Sequence, residues 1–251
     1  CCFCYRTFVL INYVFSKTSD KWFNSWCSKR LIKYKAIIFG SLGTIVETSN
    51  IQRKSFNKAF KQFGLNWYWS LNEYKKLLGK PGGQNRLLTY AKENNIKINT
   101  LKLRNLKTKL FNDYLKKNKL KPREGVVSII NYCKKNNIKL GFATSTTINN
   151  INSIFFTLNN TIKKKDFNFI GNGKLVARKK PFPDIYKIVL KKLDLKSNEC
   201  LAIEDTEESM LSALNAKIKC IAYPGKLHDY KKFKGSYKLI KKISKKNIFT
   251  N

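Results

Sequence analysis

The sequence predicts an α/β protein: a parallel sheet interleaved with helices, and a small helical domain inserted after the first strand. Four short apolar runs, Lys35 to Phe39, Leu140 to Thr144, Cys200 to Glu204 and Lys219 to Tyr223, have the length and continuity of strands buried on both faces. The last three each follow a segment of ten or more residues with helical character, the alternation that parallel crossovers require. A segment of about 70 residues without any strand-like run separates the first strand from the second, too long to be a loop.

Lys35-Ala-Ile-Ile-Phe39 leads directly into Gly40-Ser-Leu-Gly43-Thr44, a strand closed by a glycine turn. Within the insert, Phe56, Ala59, Phe60 and Phe63 form one amphipathic pattern, and Leu103, Leu106, Leu110 and Tyr114 form another. Residues 51–122 are therefore expected to form a helical cap, and residues 33–50 with 123–251 the α/β core. Val126, Val127, Ile129, Ile130 and Cys133 line a helix before the second strand. Ile185, Ile188, Val189 and Leu193 line one before the third, and Met210, Leu211 and Leu214 one before the fourth.

With 51 basic and 15 acidic side chains the formal charge is +36, which raises nucleic acid as a partner. The composition argues against it. Only seven of the basic residues are Arg, the Lys are scattered, and no basic motif interleaved with aromatics occurs. No run reaches the roughly 18 to 20 apolar residues of a membrane span, so a soluble, cytoplasmic protein is expected. Residues 1–32 are aromatic and Cys-rich and unlike the remainder of the chain; they are read as an N-terminal extension that is non-native or disordered. Zinc held by Cys2, Cys4 and Cys27 is not expected, for want of paired spacing or a nearby His. The isolated Cys133, Cys200 and Cys220 read as plain core.

In an open parallel sheet the ligand lies beyond the carboxyl ends of the strands, so the residues that close them carry the chemistry. These are Gly40 to Thr44, Thr144 with Ser145, and Glu204 with Asp205; Lys180 stands just ahead of the third helix. Hydroxyl donors at Thr144 and Ser145 with the Lys180 ammonium suit a phosphoryl group, and Glu204 and Asp205 offer hard oxygens to Mg²⁺. Each has a plainer reading alone: a helix cap at Thr144, one of many lysines at Lys180, solvated carboxylates at 204 and 205.

Taken in order, Ala-Thr144-Ser, Lys180-Pro-Phe-Pro-Asp-Ile-Tyr and Ile-Glu204-Asp205-Thr206 resemble three motifs of the haloacid dehalogenase (HAD) superfamily, across residues 34 to 225. The segments Gly64 to Trp69 and Gly82-Gly83-Gln-Asn-Arg86 are similar to the cap of its CbbY and β-phosphoglucomutase-like sugar-phosphate branch. The resemblance implies a HAD-like, Rossmann-type core with an inserted helical cap, and a phosphorylated metabolite, a sugar phosphate, as ligand. It implies phosphate binding by Thr144, Ser145 and Lys180, substrate contacts in the cap from Gln52, Gly82, Gly83 and Arg86, and Mg²⁺ on Glu204 and Asp205. Trp67 and Trp69 are expected to pack the cap ahead of touching ligand.

The first motif departs from the family. Where relatives have an Asp nucleophile and an Asp acid/base, this chain has Gly40 and Leu42, and the cap His of mutase-like relatives is Gln52. The glycine that usually follows the fourth motif is Ser209. Ser41 is the nearest hydroxyl, but strand alternation turns it from the pocket if Gly40 keeps the family geometry, and the only His, His228, is expected beyond the last strand. The expectation is a protein that binds a phospho-ligand with impaired catalysis and a weakened or absent Mg²⁺ site. The alternative is a Mg²⁺-dependent phosphomonoester hydrolase of unconventional mechanism, with water attacking directly.

Overall fold

The computed structural model describes residues 34–40, 42–79, 82–158 and 161–249. The expectations for residues 1–32, for Cys2, Cys4 and Cys27, and for the direction of Ser41 lie outside the described residues.

Among the described residues, six parallel strands form one sheet in the order β3-β2-β1-β4-β5-β6. The strands β1 (Ala36–Phe39), β2 (Lys139–Ala143), β4 (Cys200–Glu204) and β5 (Lys219–Ala222) are those the apolar runs predict. Two short edge strands, β3 (Phe169–Gly171) and β6 (Lys238–Leu239), extend the sheet on either side. From β1 the chain builds outward through β2 and β3, then returns to the other flank of β1 for β4 to β6. The reversal puts a crevice at the carboxyl ends of β1 and β4.

Alternation along the strands sorts side chains onto two faces. Ile37, Phe39, Leu140, Phe142, Leu201 and Ile203 join a large apolar cluster with α6 (Val126–Lys135) and α7 (Ile148–Thr157). Ala36, Ile38, Ala202 and Ala222 join a second with α8 (Asp184–Leu193) and α9 (Glu207–Asn215). The second face is built of small residues, which lets its helices lie close. A Cβ on Gly141 would fall 2.9 Å from Val189 Cγ1.

After β1 comes the single turn α1 (Leu42–Ile45), whose Leu42 packs on the large cluster. The insert contains α2 (Ser49–Gln62), α3 (Leu71–Leu77), α4 (Gly83–Glu93) and α5 (Thr100–Lys117). Its own cluster is Phe56, Ala59, Phe60, Trp69, Tyr74, Leu77, Leu87 and Leu103. Trp69 is fully buried, its ring 4.7 Å from that of Phe56 and 4.8 Å from that of Phe60. Asn57 clamps the Trp69 backbone at both N–H and C=O, and Arg53 Nη1 donates to the same carbonyl. Trp67 packs edge-on against Phe60 and Tyr90, so both Trp rings serve packing.

The helix α5 departs from its expected pattern. Leu103, Leu106 and Leu110 do face the insert cluster, but Tyr114, expected beside them, is 43% exposed. Phe111 and Leu115 instead enter the large cluster against the sheet. At 1.5 Å per residue an 18-residue helix is about 27 Å long, enough to run from one core into the other. Leu211, expected on the buried face of α9, is likewise 39% exposed, and Ala213 takes the buried place.

Among the described residues, four helix ends carry a left-handed residue other than glycine: Asn95, Asn137, Asp194 and Lys217. Asn and Asp tolerate this conformation because the short polar side chain bonds locally, whereas Lys gains nothing from it. Among the described residues no helix is long and apolar enough to cross a membrane. Cys133, Cys200 and Cys220 are buried thiols, and burial pushes the first two up to about 12, which keeps them protonated.

Candidate functional site

Parallel pairing holds the ends of β1, β2 and β4 side by side, and the residues that follow them converge. Gly40 donates its N–H to the Ile203 carbonyl at 3.0 Å, which seats it beside Glu204 at the end of β4. Lys180 reaches the same point from the segment before α8: Nζ donates to the Gly40 carbonyl at 2.8 Å and to Glu204 Oε1 at 2.5 Å. Tyr186, on the first turn of α8, donates its hydroxyl to the same Oε1 at 2.6 Å. The ion pair is buried, with Glu204 0% and Lys180 5% exposed at the side chain.

Gly40 makes this packing possible. A Cβ at position 40 would fall 1.7 Å from Glu204 Oε1, so the carboxylate occupies the space where any side chain on residue 40 would begin. A Cβ on Gly43 would likewise meet Asp205 Oδ2 at 1.8 Å. Burial pushes the Glu204 carboxyl up to about 7, with the neighbouring Asp205 adding to the rise and the Lys180 and Tyr186 contacts opposing it. Burial also keeps the Tyr186 phenol protonated, so it acts as donor. Glu204 Oε2 finds no hydrogen-bond partner among the described residues.

Beside this cluster lies the loop from β2 to α7. Thr144 is buried, and its Oγ accepts from the Thr146 N–H at 3.2 Å, leaving the hydroxyl proton to donate elsewhere. The cap of α7 is Thr147, so Thr144 is not a helix cap. Ser145 Oγ is buried and unpaired among the described residues. Two hydroxyls and the amino end of α7 thus sit where an anion gains most.

A cleft of about 250 Å³ lies between the insert and the loop from β2 to α7, which contributes Thr146 and Asn150; Thr144, Ser145, Lys180, Glu204 and Asp205, expected to hold phosphate and metal, do not line it. Of the residues expected to touch ligand from the insert, Gln52, Gly83 and Arg86 line it; Gly82, with φ 75°, precedes α4 and does not. Arg104 and Lys107 of α5 also line it, and sequence reasoning misses them. Lys107 Nζ donates to Gln52 Oε1 and lies 4.7 Å from the Phe56 ring centroid. Burial, with Arg86 and Arg104 nearby, pulls its ammonium down to about 7. Arg86 Nε is buried without a partner among the described residues. Among the described residues, three cations face the cleft and no carboxylate lines it.

His228 is placed differently from expectation. Because β6 follows it, His228 lies in the loop between β5 and β6 rather than beyond the sheet. That loop is tied to the turn after α1: the Lys226 N–H donates to Glu47 Oε2 at 2.7 Å, and Glu47 Oε1 accepts from the Ser49 N–H at 2.9 Å. Burial lowers the His228 pKa; Asp205 and Glu47 oppose the shift, while Arg86 and Arg123 reinforce it.

A Rossmann-type sheet with this order, an insert after β1 and a hydroxyl, ammonium and carboxylates near the strand ends are the parts of one α/β superfamily of hydrolases. The family described as haloacid dehalogenase-like hydrolase matches residues 37–223, and the chain belongs to it. Protein CbbY of Cereibacter sphaeroides is 30% identical over 209 residues, 82% of this chain and 91% of that protein. A mutant of CbbY from Rhodobacter sphaeroides, crystallised in complex with xylulose-(1,5)bisphosphate, superposes with a TM-score of 0.73 at 28% identity, covering 84% of this chain and 94% of that one. A β-phosphoglucomutase from Clostridium difficile shares the fold, with a TM-score of 0.67 at 18% identity over 83% of this chain and 91% of its own. The chain thus lies in the CbbY and sugar-phosphate branch.

Members of the family generally use Mg²⁺. The donor set here does not fit that ion well. Gly40 offers no side-chain oxygen, and its carbonyl is engaged by Lys180. Glu204 is turned onto Lys180 and Tyr186. Among the described residues no group of three or more His, Cys, Asp or Glu side chains is placed to hold a metal.

Proposed function

We propose that this protein binds a phosphorylated sugar between sheet and insert, and that it transfers the phosphoryl group far more slowly than its relatives. The observation that carries the reading is Gly40. No nucleophile side chain begins there, and the space is filled by Glu204, while Thr144, Ser145 and Lys180 keep their donors at the adjoining strand ends. Leu42, where the family places its acid/base, packs on apolar core and has no proton to exchange. The ligand class is supported by the CbbY complex with a sugar bisphosphate and by the three cations of the cleft. Arg86, Arg104 and Lys107 suit a second anionic group, with Gln52 and Thr108 at hand for sugar hydroxyls.

The test has two halves. Calorimetric titration with xylulose-1,5-bisphosphate and sugar monophosphates is expected to show saturable binding. Phosphate release from the same compounds is expected to fall well below the roughly 1 to 10³ per second of ordinary enzymes. Turnover in that range would defeat the proposal. If the Asp205→Ala variant then abolished it, a hydrolase of unconventional mechanism would be the better reading. Gly40→Asp combined with Leu42→Asp is expected to raise phosphate release, provided Glu204 can swing out of the space the new side chain needs.

A further inference from the structure

We infer that the pocket holds its phosphoryl group without a divalent cation, the Lys180 ammonium standing at the end of β1 where a metal centre would otherwise be. The inference rests on the phospho-ligand reading above and concerns how the same site gathers its positive charge.

A small dication requires several hard oxygens aimed at one point, and Mg²⁺ requires near-octahedral geometry. Here one oxygen of Glu204 and the Gly40 carbonyl are already engaged. Glu204 Oε1 receives two donors at 2.5 and 2.6 Å, Lys180 Nζ and Tyr186 Oη. Its carboxylate can lie there only because residue 40 lacks a Cβ, as the 1.7 Å separation requires. To serve a metal through Oε1, Glu204 would have to leave both donors, and Oε2, without a partner among the described residues, is a single oxygen where Mg²⁺ needs several. A dication on Glu204 would lie beside the buried Lys180 ammonium, which is tied to the same carboxylate and to the Gly40 carbonyl. Ammonium and dication would compete for one carboxylate, and the ammonium is covalently attached.

Lys180 is also placed to serve the ligand. It lies at the end of β1, and in the loop that follows β2 the buried Ser145 hydroxyl is unpaired among the described residues while the Thr144 hydroxyl retains its proton to donate. A phosphoryl group brought to these donors would be hydrogen-bonded by them, with the Lys180 charge shared with Glu204. Loss of the carboxylate at residue 40 and loss of the dication are then a single change, because one removes the ligand and the reason for the other.

The experiment uses the full chain in two measurements. Inorganic phosphate is titrated by calorimetry in EDTA and in millimolar MgCl₂, and Mn²⁺ is titrated by the electron paramagnetic resonance signal of the free ion. Phosphate affinity is expected to agree within about twofold in the two buffers, with no stoichiometric Mn²⁺ uptake. The Gly40→Asp variant, which adds a carboxylate beside Glu204, serves as the positive control for metal uptake. Strengthening of phosphate binding by more than about tenfold in MgCl₂ would overturn the inference, as would one Mn²⁺ per chain that is lost in Asp205→Asn. Absence of phosphate binding in both buffers would instead defeat the ligand reading, and the Mn²⁺ titration would still decide this one.

Discussion

Arg123 donates from Nη1 to the Gly43 carbonyl at 2.9 Å, tying the segment that leaves the insert to the turn that closes β1. The same guanidinium donates to the carbonyls of Tyr223 at 2.8 Å and Pro224 at 2.6 Å, and its carbon lies 3.4 Å from the Tyr223 ring centroid. One planar fork therefore sets the spacing between the glycine turn and the loop after β5. A lysine cannot address three carbonyls in this way. Arg123→Lys is expected to cost about 2 to 3 kcal/mol of stability, measured by urea denaturation. A loss below about 0.5 kcal/mol would show the clamp to be ornamental.

Glu204 links the site to pH. Its carboxyl titrates at about 7 in the folded chain against an ordinary value of 4.5. Between those values the native state keeps a proton that the unfolded chain has released. The contribution of this group is fully present below the ordinary value and is lost as pH rises through the folded one. Glu204→Gln cannot titrate, so its melting temperature relative to the parent is expected to rise from about pH 5 to about pH 8. A relative melting temperature that is flat or falls over this interval would remove Glu204 as the titrating group.

Lys107 gives the cleft a pH dependence of its own. Its ammonium is pulled down to about 7 by burial and by Arg86 and Arg104, so the cation is progressively lost above that pH. A phosphate monoester has a second pKa of about 6 and stays dianionic above pH 7, so weakening of its binding from pH 7 to about 9 reports on the protein. The expected loss is about tenfold, and Lys107→Met is expected to bind weakly throughout and to abolish the slope. An unchanged slope in that variant would assign the effect elsewhere.

At the end of α9, Lys217 sits at φ 62°. The Lys217 N–H bonds to the Leu214 carbonyl and that of Ile218 to the Ala213 carbonyl, the paired bonds of a Schellman ending. Glycine adopts this conformation without the Cβ contact, so Lys217→Gly is expected to stabilise the protein by about 1 kcal/mol. Thermal denaturation would detect it, and destabilisation would mean that the Lys217 side chain contributes contacts worth more than its strain.

The four central strands are readable in the sequence because each is buried on both faces and appears as an uninterrupted apolar run. The edge strands β3 and β6, three and two residues long, leave no such trace, and missing β6 is what displaces His228 from its true place. Thr144, Lys180, Glu204 and Asp205 are singled out by their order along the chain and by the family resemblance, and of these the structure brings Lys180 and Glu204 into contact. That Glu204 fills the space beside Gly40 depends on the distance between neighbouring strands, which no linear pattern records. Arg104 and Lys107 stand three residues apart on α5, a spacing that signals a shared helix face, but the abundance of lysine hides it.

A helix that belongs to two cores behaves as a strut. Swinging the insert away from the sheet would draw Phe111 and Leu115 into water, at about 1.5 to 3 kcal/mol for each side chain. Opening of the insert as a rigid body therefore carries an apolar cost that movement confined to the rim of the cleft does not.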